Sequence, residues 1–390
     1  MVTKKGNMRH WSVVGLSVFT IFFLLVPALL SAQSGSDTTT ARLKLLFIGD
    51  IMGHDGQIAS ALNDSTGTYD YSEVFKYISP VIRGADVAIA NLEVTLAGPP
   101  YKGYPQFSSP AALPAAAHDA GIDIMVTANN HSADRGLSGI TNTIMRLDSL
   151  GIAHTGTYRS SAERESLVPY IIEKNQIRLA LLNYTYGTNG LPVPPPAIVD
   201  LIDRRVIADD IKASKEAGTD GIIVFIHWGT EYDTLPSASQ TELAEWMLEQ
   251  GADLVIGSHP HVIQPMELRK GDGGSDRLIV YSMGNFVSNQ RRRYTDGGAM
   301  VSVTVTRGKE GLKIEEAGYI LTWVYLPVVK GRPVYHIMPA AADESRLEVL
   351  RHPGSAEKMR LFIDDSRRIF GRYNLGVEEI VPVVTRKEDK

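Results

Sequence analysis

Continuous apolar runs that end in polar side chains recur along this chain. Such runs are typical of strands buried on both faces of a sheet, and they occupy residues 44–51, 86–94, 123–128, 221–226 and 252–256. Between them, apolar side chains recur at helical spacing over residues 110–120, 138–150 and 240–250. Alternating strands and helices predict an α/β fold with a large, partly parallel sheet or a pair of sheets.

The remaining segments have weaker patterns, which still predict several elements. Helices are expected at residues 71–82 and 199–217, the first of them bent or ended by an internal proline. Residues 278–283 and 298–306 resemble two strands paired with each other. Over residues 342–373, charged residues are mixed with apolar ones at helical spacing, which predicts one or two surface helices.

Composition limits the classes of protein to which the chain can belong. Its 390 residues are enough for one large domain or two modest ones, and 44% hydrophobic with 21% charged residues is typical of globular proteins. Because no break in pattern separates two domains, we expect one domain over residues 43–290 and an extension, residues 291–390, packed on it. The net charge of −5 argues against nucleic acid as a partner.

The N-terminal segment, residues 1–32, has the pattern of an export signal. Basic residues precede an apolar run at residues 13–30, which ends in a short sequence of small residues typical of a cleavage site. The run is also about long enough to span a bilayer, so the segment is either a cleaved signal peptide or an uncleaved signal anchor. Both alternatives place the polar linker at residues 33–42, and the chain after it, outside the cytoplasm.

Polar residues able to bind metal follow the predicted strands, at the edge where ligands bind in α/β sheets. They are, in chain order, Asp50, Asn91, Glu93, Asn130, His131, His227, His259, His261 and Asn285. Strand ends often carry turn-forming residues for local reasons, but these rarely include several histidines. Carboxylate, amide and imidazole donors together suit a two-metal hydrolytic site. Because the chain has no cysteine, the expected cofactors are two divalent ions of Mn, Fe or Zn.

Several of these residues also have an ordinary structural explanation. Asp50 and Asn91 could be turn residues at strand ends, and His227 could be a hydrogen-bonded histidine of the core. Glu93 is harder to explain in this way, because a buried and unpaired carboxylate is costly. The arginines at residues 291–293 could contact an anionic substrate or form a solvated strip on the surface.

Six short segments occur in an order that is characteristic of a known family. They are residues 49–52 (GDIM), 91–93 (NLE), 128–136 (ANNHSADRG), 227–232 (HWGTEY), 251–262 (GADLVIGSHPHV) and 281–286 (YSMGNF). Together they closely resemble the CapA family of poly-γ-glutamate capsule-biosynthesis proteins, which is similar to calcineurin-like metallophosphoesterases. The resemblance covers residues 43–290 and implies a four-layer α/β/β/α sandwich, here with a C-terminal extension of strands and helices.

The resemblance also implies roles for individual residues. The implied ligands are Asp50 and His261 for one metal ion, Asn130, His227 and His259 for a second ion, and Glu93 as the bridge. His131 is expected to protonate the leaving group, and Asp134 to orient His131. Apart from the resemblance, Arg135 lies next to the His131 motif and is expected to contact an anionic substrate, together with Asn91, Glu231 and Asn285.

The chain departs from the phosphoesterase pattern in three motifs. In that pattern a histidine follows the first aspartate by two positions, whereas Met52 stands there in this chain. His54 could replace it only if the loop after Asp50 curls back. In the second motif, Asn91 and Glu93 stand in place of the usual Gly-Asp pattern. Ser132 stands where an acidic residue normally follows the Asn-His pair.

Three functions are consistent with these features. The first is an exported, metal-dependent hydrolase or transferase that serves biosynthesis of a capsule or cell-envelope polymer, with an anionic polymer or a phosphorylated compound as substrate. The second is a non-catalytic component of an export complex, assembled with membrane-bound polymer synthase or export proteins. The third is a general periplasmic phosphoesterase. The ordered metal-type residues behind an export signal favour the first.

Overall fold

The computed structural model describes residues 41–271, 275–307, 312–340 and 349–382. The predicted signal segment, most of the predicted linker and the first part of the predicted C-terminal helices, to residue 348, lie outside the described residues. Thr40–Lys390 form one compact unit. Within the described ranges, no helix has both the length and the hydropathy needed to cross a bilayer.

The strands, numbered in chain order from β1 to β21, are Arg42–Ile51, Leu62–Asn63, Thr68–Tyr69, Val87–Leu92, Ile124–Val126, Ala153–Thr155, Thr157–Tyr158, Tyr170–Lys174, Ile177–Thr185, Ile198–Val199, Gly221–His227, Leu254–Ser258, Ile263–Arg269, Arg277–Met283, Asn285–Val287, Gly297–Arg307, Leu312–Tyr325, Val328–Val329, Arg332–Pro333, His336–Pro339 and Glu378–Glu379. The helices, numbered from α1 to α9, are Asp55–Ala61, Ser72–Phe75, Ser79–Ile82, Ala112–Asp119, Gly136–Leu150, Ser161–Leu167, Arg204–Glu216, Ala238–Gln250 and Ser355–Tyr373.

Most of these strands lie in two sheets. The first sheet has the order β20-β17-β16-β1-β4-β5-β6, with β15 beside β1 and β21 beside β17. The second sheet has the order β13-β14-β12-β11-β9-β8. The pairs β1 with β4, β4 with β5, β9 with β11 and β11 with β12 are all parallel. The carboxyl ends of parallel neighbours lie at one edge of their sheet, which is where the predicted site residues follow the strands.

Alternate side chains of β1 show how the layers form, because successive residues of a strand point to opposite faces. Leu45 and Phe47 lie in a core between the two sheets, which also contains Phe225 of β11. Leu46 and Ile48 lie in a second core, which α2 and α4 cover. A third core lies between the second sheet and the helices α7 and α8. The architecture is therefore the predicted four-layer α/β/β/α sandwich.

The predicted pairing of residues 278–283 with residues 298–306 is wrong. Strand β14 lies between β12 and β13 in the second sheet, whereas β16 lies between β1 and β17 in the first. Both runs are apolar and β-branched, and such a pattern does not distinguish strands paired within one sheet from strands packed across two sheets.

Two predicted helices also differ in extent. The segment at residues 71–82 forms two short helices, α2 and α3, instead of one. Helix α7 begins at Arg204, since the side chain of Asp203 accepts hydrogen bonds from the backbone N–H groups of Arg205 and Val206 and so caps the helix.

Residues after position 290 are part of the same layers. Strands β16, β17 and β20 complete the first sheet beyond β1. Met359, Phe362, Ile363 and Phe370 of α9 lie in the core between the two sheets. Within the described residues, the C-terminal extension thus closes the sandwich and shares its central core.

Candidate metal centre

The carboxyl ends of parallel strands bring the predicted metal ligands together. The residues and their sources are Asp50 on β1, Glu93 after β4, Asn130 and His131 after β5, His227 on β11, and His259 and His261 after β12. Asp50 pairs in register with Asn285 on β15. The pairing requires the backbone at Gly49 to lie very close to the backbone at Gly284. A Cβ atom at position 49 would lie only 2.1 Å from Gly284 O. Only glycine therefore fits before the aspartate.

Among the residues that the structure describes, two groups of buried side chains have the arrangement of metal ligands. One contains Asp50, Glu93 and His261, and the other contains Glu93, His227 and His259. In each group the potential ligand atoms lie within 4.8 Å of one another. Asn130 adjoins the second group, with its Oδ1 3.0 Å from His227 Nε2. The arrangement thus follows the two implied ligand sets, with Glu93 in both groups.

Glu93 is the least satisfied polar side chain of the site. It is 0% exposed, and neither carboxylate oxygen accepts a hydrogen bond from the described residues. Its Oε1 lies 3.6 Å from His227 Nε2 and 3.9 Å from His261 Nε2. Burial and, less strongly, the Asp50 carboxylate raise the pKa of Glu93 well above its usual value. Because an unpaired carboxylate is costly in the interior and a cation would supply the missing partner, these oxygens fit a bridging ligand.

His259 combines an unpaired ring nitrogen with an unusual backbone conformation. Its Nδ1 is buried and forms no hydrogen bond with the described residues. The φ angles of His259 and His261 are 101° and 58°, in a region that costs a non-glycine residue about 1–3 kcal/mol. Burial and the neighbouring imidazoles lower the pKa of His259 to about 3 and that of His227 well below its usual value. Both rings are therefore neutral, which is the form that binds metal.

Asn285 fixes the tautomer of His261. Its Nδ2 donates to Thr295 O at 2.9 Å and to His261 O at 3.3 Å. Its Oδ1, 3.1 Å from His261 Nδ1, is consequently the acceptor, so Nδ1 carries the proton. This leaves Nε2 of His261 as the nitrogen with a free lone pair. A hydrogen bond of this kind, made behind a ligand, orients a metal-binding histidine.

Asn91 holds members of both groups. Its Nδ2 donates to Asp50 Oδ1 at 2.8 Å and lies 3.3 Å from His227 Nδ1. Asn91 and Asn285 are at most 1% exposed, because they lie within strands behind the ligands. Each of these two residues forms a hydrogen bond with a candidate ligand, while its expected contact with substrate stays a prediction.

His131 and Asp134 form a hydrogen-bonded pair beside the two groups. His131 Nδ1 lies 2.8 Å from Asp134 Oδ2, which also accepts a 2.6 Å hydrogen bond from Phe107 N. The ring of Phe107 packs edge-on against His131, with 4.6 Å between ring centroids. Asp134 thus holds a proton of His131 on Nδ1, and Nε2 takes no part in this pair.

Two residues that support the site have no distinctive sequence signal. Ser258 Oγ lies 2.9 Å from His227 Nδ1. Asn129 donates to Asn91 Oδ1 at 3.2 Å and accepts from His131 N at 3.1 Å. Their positions directly before His259 and Asn130 are the only indication, and local sequence does not distinguish such contacts from an ordinary turn.

His54 does not take the place of the histidine that the first motif lacks. Its Nδ1 lies 3.1 Å from Gln57 Oε1, and its ring packs edge-on against Phe107 with 5.3 Å between centroids. It belongs to neither ligand group, because its loop leads into α1 instead of curling toward Asp50. Burial lowers the pKa of His54 to about 4.

A cleft of about 480 Å³ opens beside the first ligand group. Side chains from several loops line it, among them His54, His131, Glu231, Tyr232, His261 and Arg292. Glu231 thus lies where a substrate contact was expected. Arg135 is absent from the lining, and its guanidinium donates to Gln106 O at 2.9 Å, beside the start of α5.

Proteins named for capsule, PGA or polyglutamine synthesis are similar in sequence to this chain. The chain is 27% identical over 314 residues to the capsule biosynthesis protein CapA of Bacillus anthracis, covering 77% of this chain and 73% of that protein. It is 28% identical over 329 residues to the PGA biosynthesis protein CapA of Bacillus subtilis, covering 79% and 80%. A probable polyglutamine synthesis accessory protein of Mycobacterium tuberculosis is 26% identical over 227 residues, covering 52% and 56%.

Solved structures that resemble the chain do so at low sequence identity. The calcineurin-like phosphoesterase YfkN of Bacillus subtilis aligns at 12% identity with a TM-score of 0.44, over 72% of this chain and 90% of that one. A 5′-nucleotidase of Candida albicans aligns at 12% identity with a TM-score of 0.38, over 83% of this chain and 58% of that one.

The model of the family described as "Bacterial capsule synthesis protein PGA_cap" matches residues 44–290, nearly the range over which the CapA resemblance was expected. The chain belongs to this family of bacterial capsule synthesis proteins.

Proposed function

We propose that this protein is an exported, metal-dependent hydrolase or transferase that acts on poly-γ-glutamate or a similar anionic polymer of the cell envelope. The observation that carries the proposal is Glu93, whose buried and unpaired oxygens belong to both ligand groups. Family membership supports the polymer class, and the similar Bacillus proteins are named for capsule and PGA biosynthesis. The basic and then apolar N-terminal pattern supports export.

The two ligand groups would hold two divalent ions of Mn, Fe or Zn. The proposed ligands are Asp50 and His261 for the first ion, Asn130, His227 and His259 for the second, and Glu93 for both. Such ions, when bound, lower the pKa of a water molecule and neutralise charge on a phosphate or carboxyl oxygen. Nitrogen and oxygen donors without sulfur fit these metals.

The protein's own groups would orient the ligands and move a proton. Asn91 and Asn285 hold Asp50 and His261 in place through the hydrogen bonds described above. His131 lines the cleft, and Asp134 accepts its Nδ1–H; in its imidazolium form the ring would carry a second proton on Nε2 and give that proton to the leaving atom. The ring of Phe107 packs edge-on against His131 and would help to fix the orientation of its imidazole.

Metal analysis tests the catalytic part of the proposal. The full-length protein, purified without chelators, is expected to contain two transition-metal ions per chain. Glu93→Gln keeps the size of the side chain but removes its charge, and is expected to contain at most one. Glu249→Gln, an exposed site on α8, is the matched control and should retain both ions. A wild-type protein without transition metal would contradict the proposal.

Polymer production tests the biological part. In cells that depend on this protein for their polymer, the double substitution His259→Ala with His261→Ala is expected to abolish polymer formation. Circular dichroism and protein level serve as the controls for folding. Undiminished polymer from a folded, metal-free double variant would contradict the enzymatic role and support a non-catalytic component of an export complex.

A further inference from the structure

The three consecutive arginines after β15 have different environments. Arg291 donates from both terminal nitrogens to Val324 O, at 3.1 Å each. Arg293 forms a two-point ion pair with the buried Asp365 of α9, at 2.7 Å for each contact. Both guanidinium groups therefore have structural partners. Arg291 and Arg292 both line the cleft, but within the described residues only the Arg292 guanidinium forms neither a hydrogen bond nor a salt bridge.

Tyr232 holds the guanidinium of Arg292 beside the metal centre. The guanidinium carbon of Arg292 lies 5.6 Å from the centroid of the Tyr232 ring, a cation–π distance. The backbone of Tyr232 has a φ of 71°, and its N–H donates to Pro260 O at 2.8 Å. Its ring centroid lies 6.2 Å from that of His261. One tyrosine ring thus separates the free positive charge from a proposed metal ligand.

The guanidinium of Arg292 favours a substrate that carries a carboxylate. A guanidinium with a free edge binds carboxylate through two parallel hydrogen bonds, and it remains charged at every physiological pH. Glu231, the one acidic residue that lines the described cleft, lies next to Tyr232 and repels a second anion. Within the described lining of the cleft, Arg292 is therefore the guanidinium that is available to a carboxylate of the substrate.

We propose that Arg292, supported by Tyr232, binds a carboxylate of the polymer chain next to the bond that is attacked, and so selects a polycarboxylate substrate. The proposal rests on the proposed function, because it uses the same site. It assigns recognition to a residue outside both ligand groups, and to a different arginine from the predicted Arg135.

Binding of a short γ-linked glutamate oligomer to the full-length protein tests this assignment. The oligomer is labelled with a fluorophore, and anisotropy is measured for the wild type and for Arg292→Gln, Arg292→Lys and Arg205→Gln. Arg205 is exposed on α7 and forms no ion pair among the described residues, so its variant controls for the loss of one positive charge. We expect Arg292→Gln to weaken binding about tenfold, Arg292→Lys to weaken it less, and the control to bind as the wild type does.

Two further measurements separate the possible results. The α-carboxamide form of the oligomer should bind the wild type and Arg292→Gln equally, since it lacks the carboxylates. Metal content should be the same in all variants, because Arg292 is in neither ligand group. Wild-type affinity of Arg292→Gln for the oligomer would overturn the assignment. A metal-free wild type whose binding still depends on Arg292 would refute the proposed catalysis and leave the carboxylate site intact.

Discussion

Replacing Glu93 by glutamine should change stability in opposite directions with and without metal. In metal-free protein the carboxylate is buried and lacks hydrogen-bond donors, a state that costs about 1–3 kcal/mol. The folded-state pKa of Glu93 lies above its usual value, so the stability that the protonated form contributes is lost as pH rises. Metal-free Glu93→Gln should therefore unfold at a higher temperature than metal-free wild type, and the difference should grow as pH rises above the usual pKa of a glutamate.

With metal, the order should reverse. A ligand at roughly 1,000 times its Kd stabilises the folded state by about 4 kcal/mol, which raises Tm by roughly 5–10 °C in a domain of this size. The wild type should show this increase on addition of Mn²⁺ or Zn²⁺, and Glu93→Gln should lose most of it. The assay is thermal unfolding followed by circular dichroism, with chelator and then with metal. An equal metal-induced increase in both proteins, or a less stable metal-free variant, would refute the reasoning.

Three further substitutions test other contacts. Asn285→Ala should weaken metal affinity about 10- to 100-fold, measured by competition with a chelating dye, because His261 loses the acceptor that orients it; unchanged affinity would count against this. Asp134→Asn should slow polymer formation about a hundredfold without changing metal content, because His131 loses the carboxylate that holds its Nδ1 proton. Loss of metal from this variant would contradict the role of Asp134 as the partner of His131. Arg164→Gln should lower the free energy of unfolding by about 3 kcal/mol, because Arg164 pairs with the buried carboxylate of Asp200. Burial raises the pKa of Asp200 to about 6, so this carboxylate is ionised and needs its partner most at high pH, where the loss of stability should be larger. A loss that shrinks as pH rises would contradict this.

Local pattern predicts the α/β fold and the positions of the candidate ligands, whereas the four-layer sandwich is implied by the family resemblance. Continuous apolar runs identify strands buried on both faces, and the residue that follows each run lies at the sheet edge whatever the strand order. This is why Glu93, His227 and His259 could be found before any contact was known. Their roles as ligands remain a prediction for the metal measurements.

Features that depend on which elements meet in space could not be predicted. The pairing of β14 and the pairing of β16 both depend on sheet membership, which hydrophobic pattern does not specify. Asn91 and Asn285 look like substrate contacts in the sequence, but their hydrogen-bond partners, Asp50 and His261, are distant in sequence and lie on other segments. Arg292 could not be separated from its two neighbours, since only their partners at Val324 and Asp365 distinguish them.

The central claim is that Glu93 bridges two metal ions. Its most direct test is a crystal structure of the protein prepared without chelators, with anomalous diffraction recorded on both sides of the absorption edge of the bound metal. The account predicts two anomalous peaks about 3.5–4 Å apart, with one oxygen of Glu93 on each or one oxygen shared by both. An absence of anomalous density around Glu93, or a single ion that does not touch its carboxylate, would contradict it.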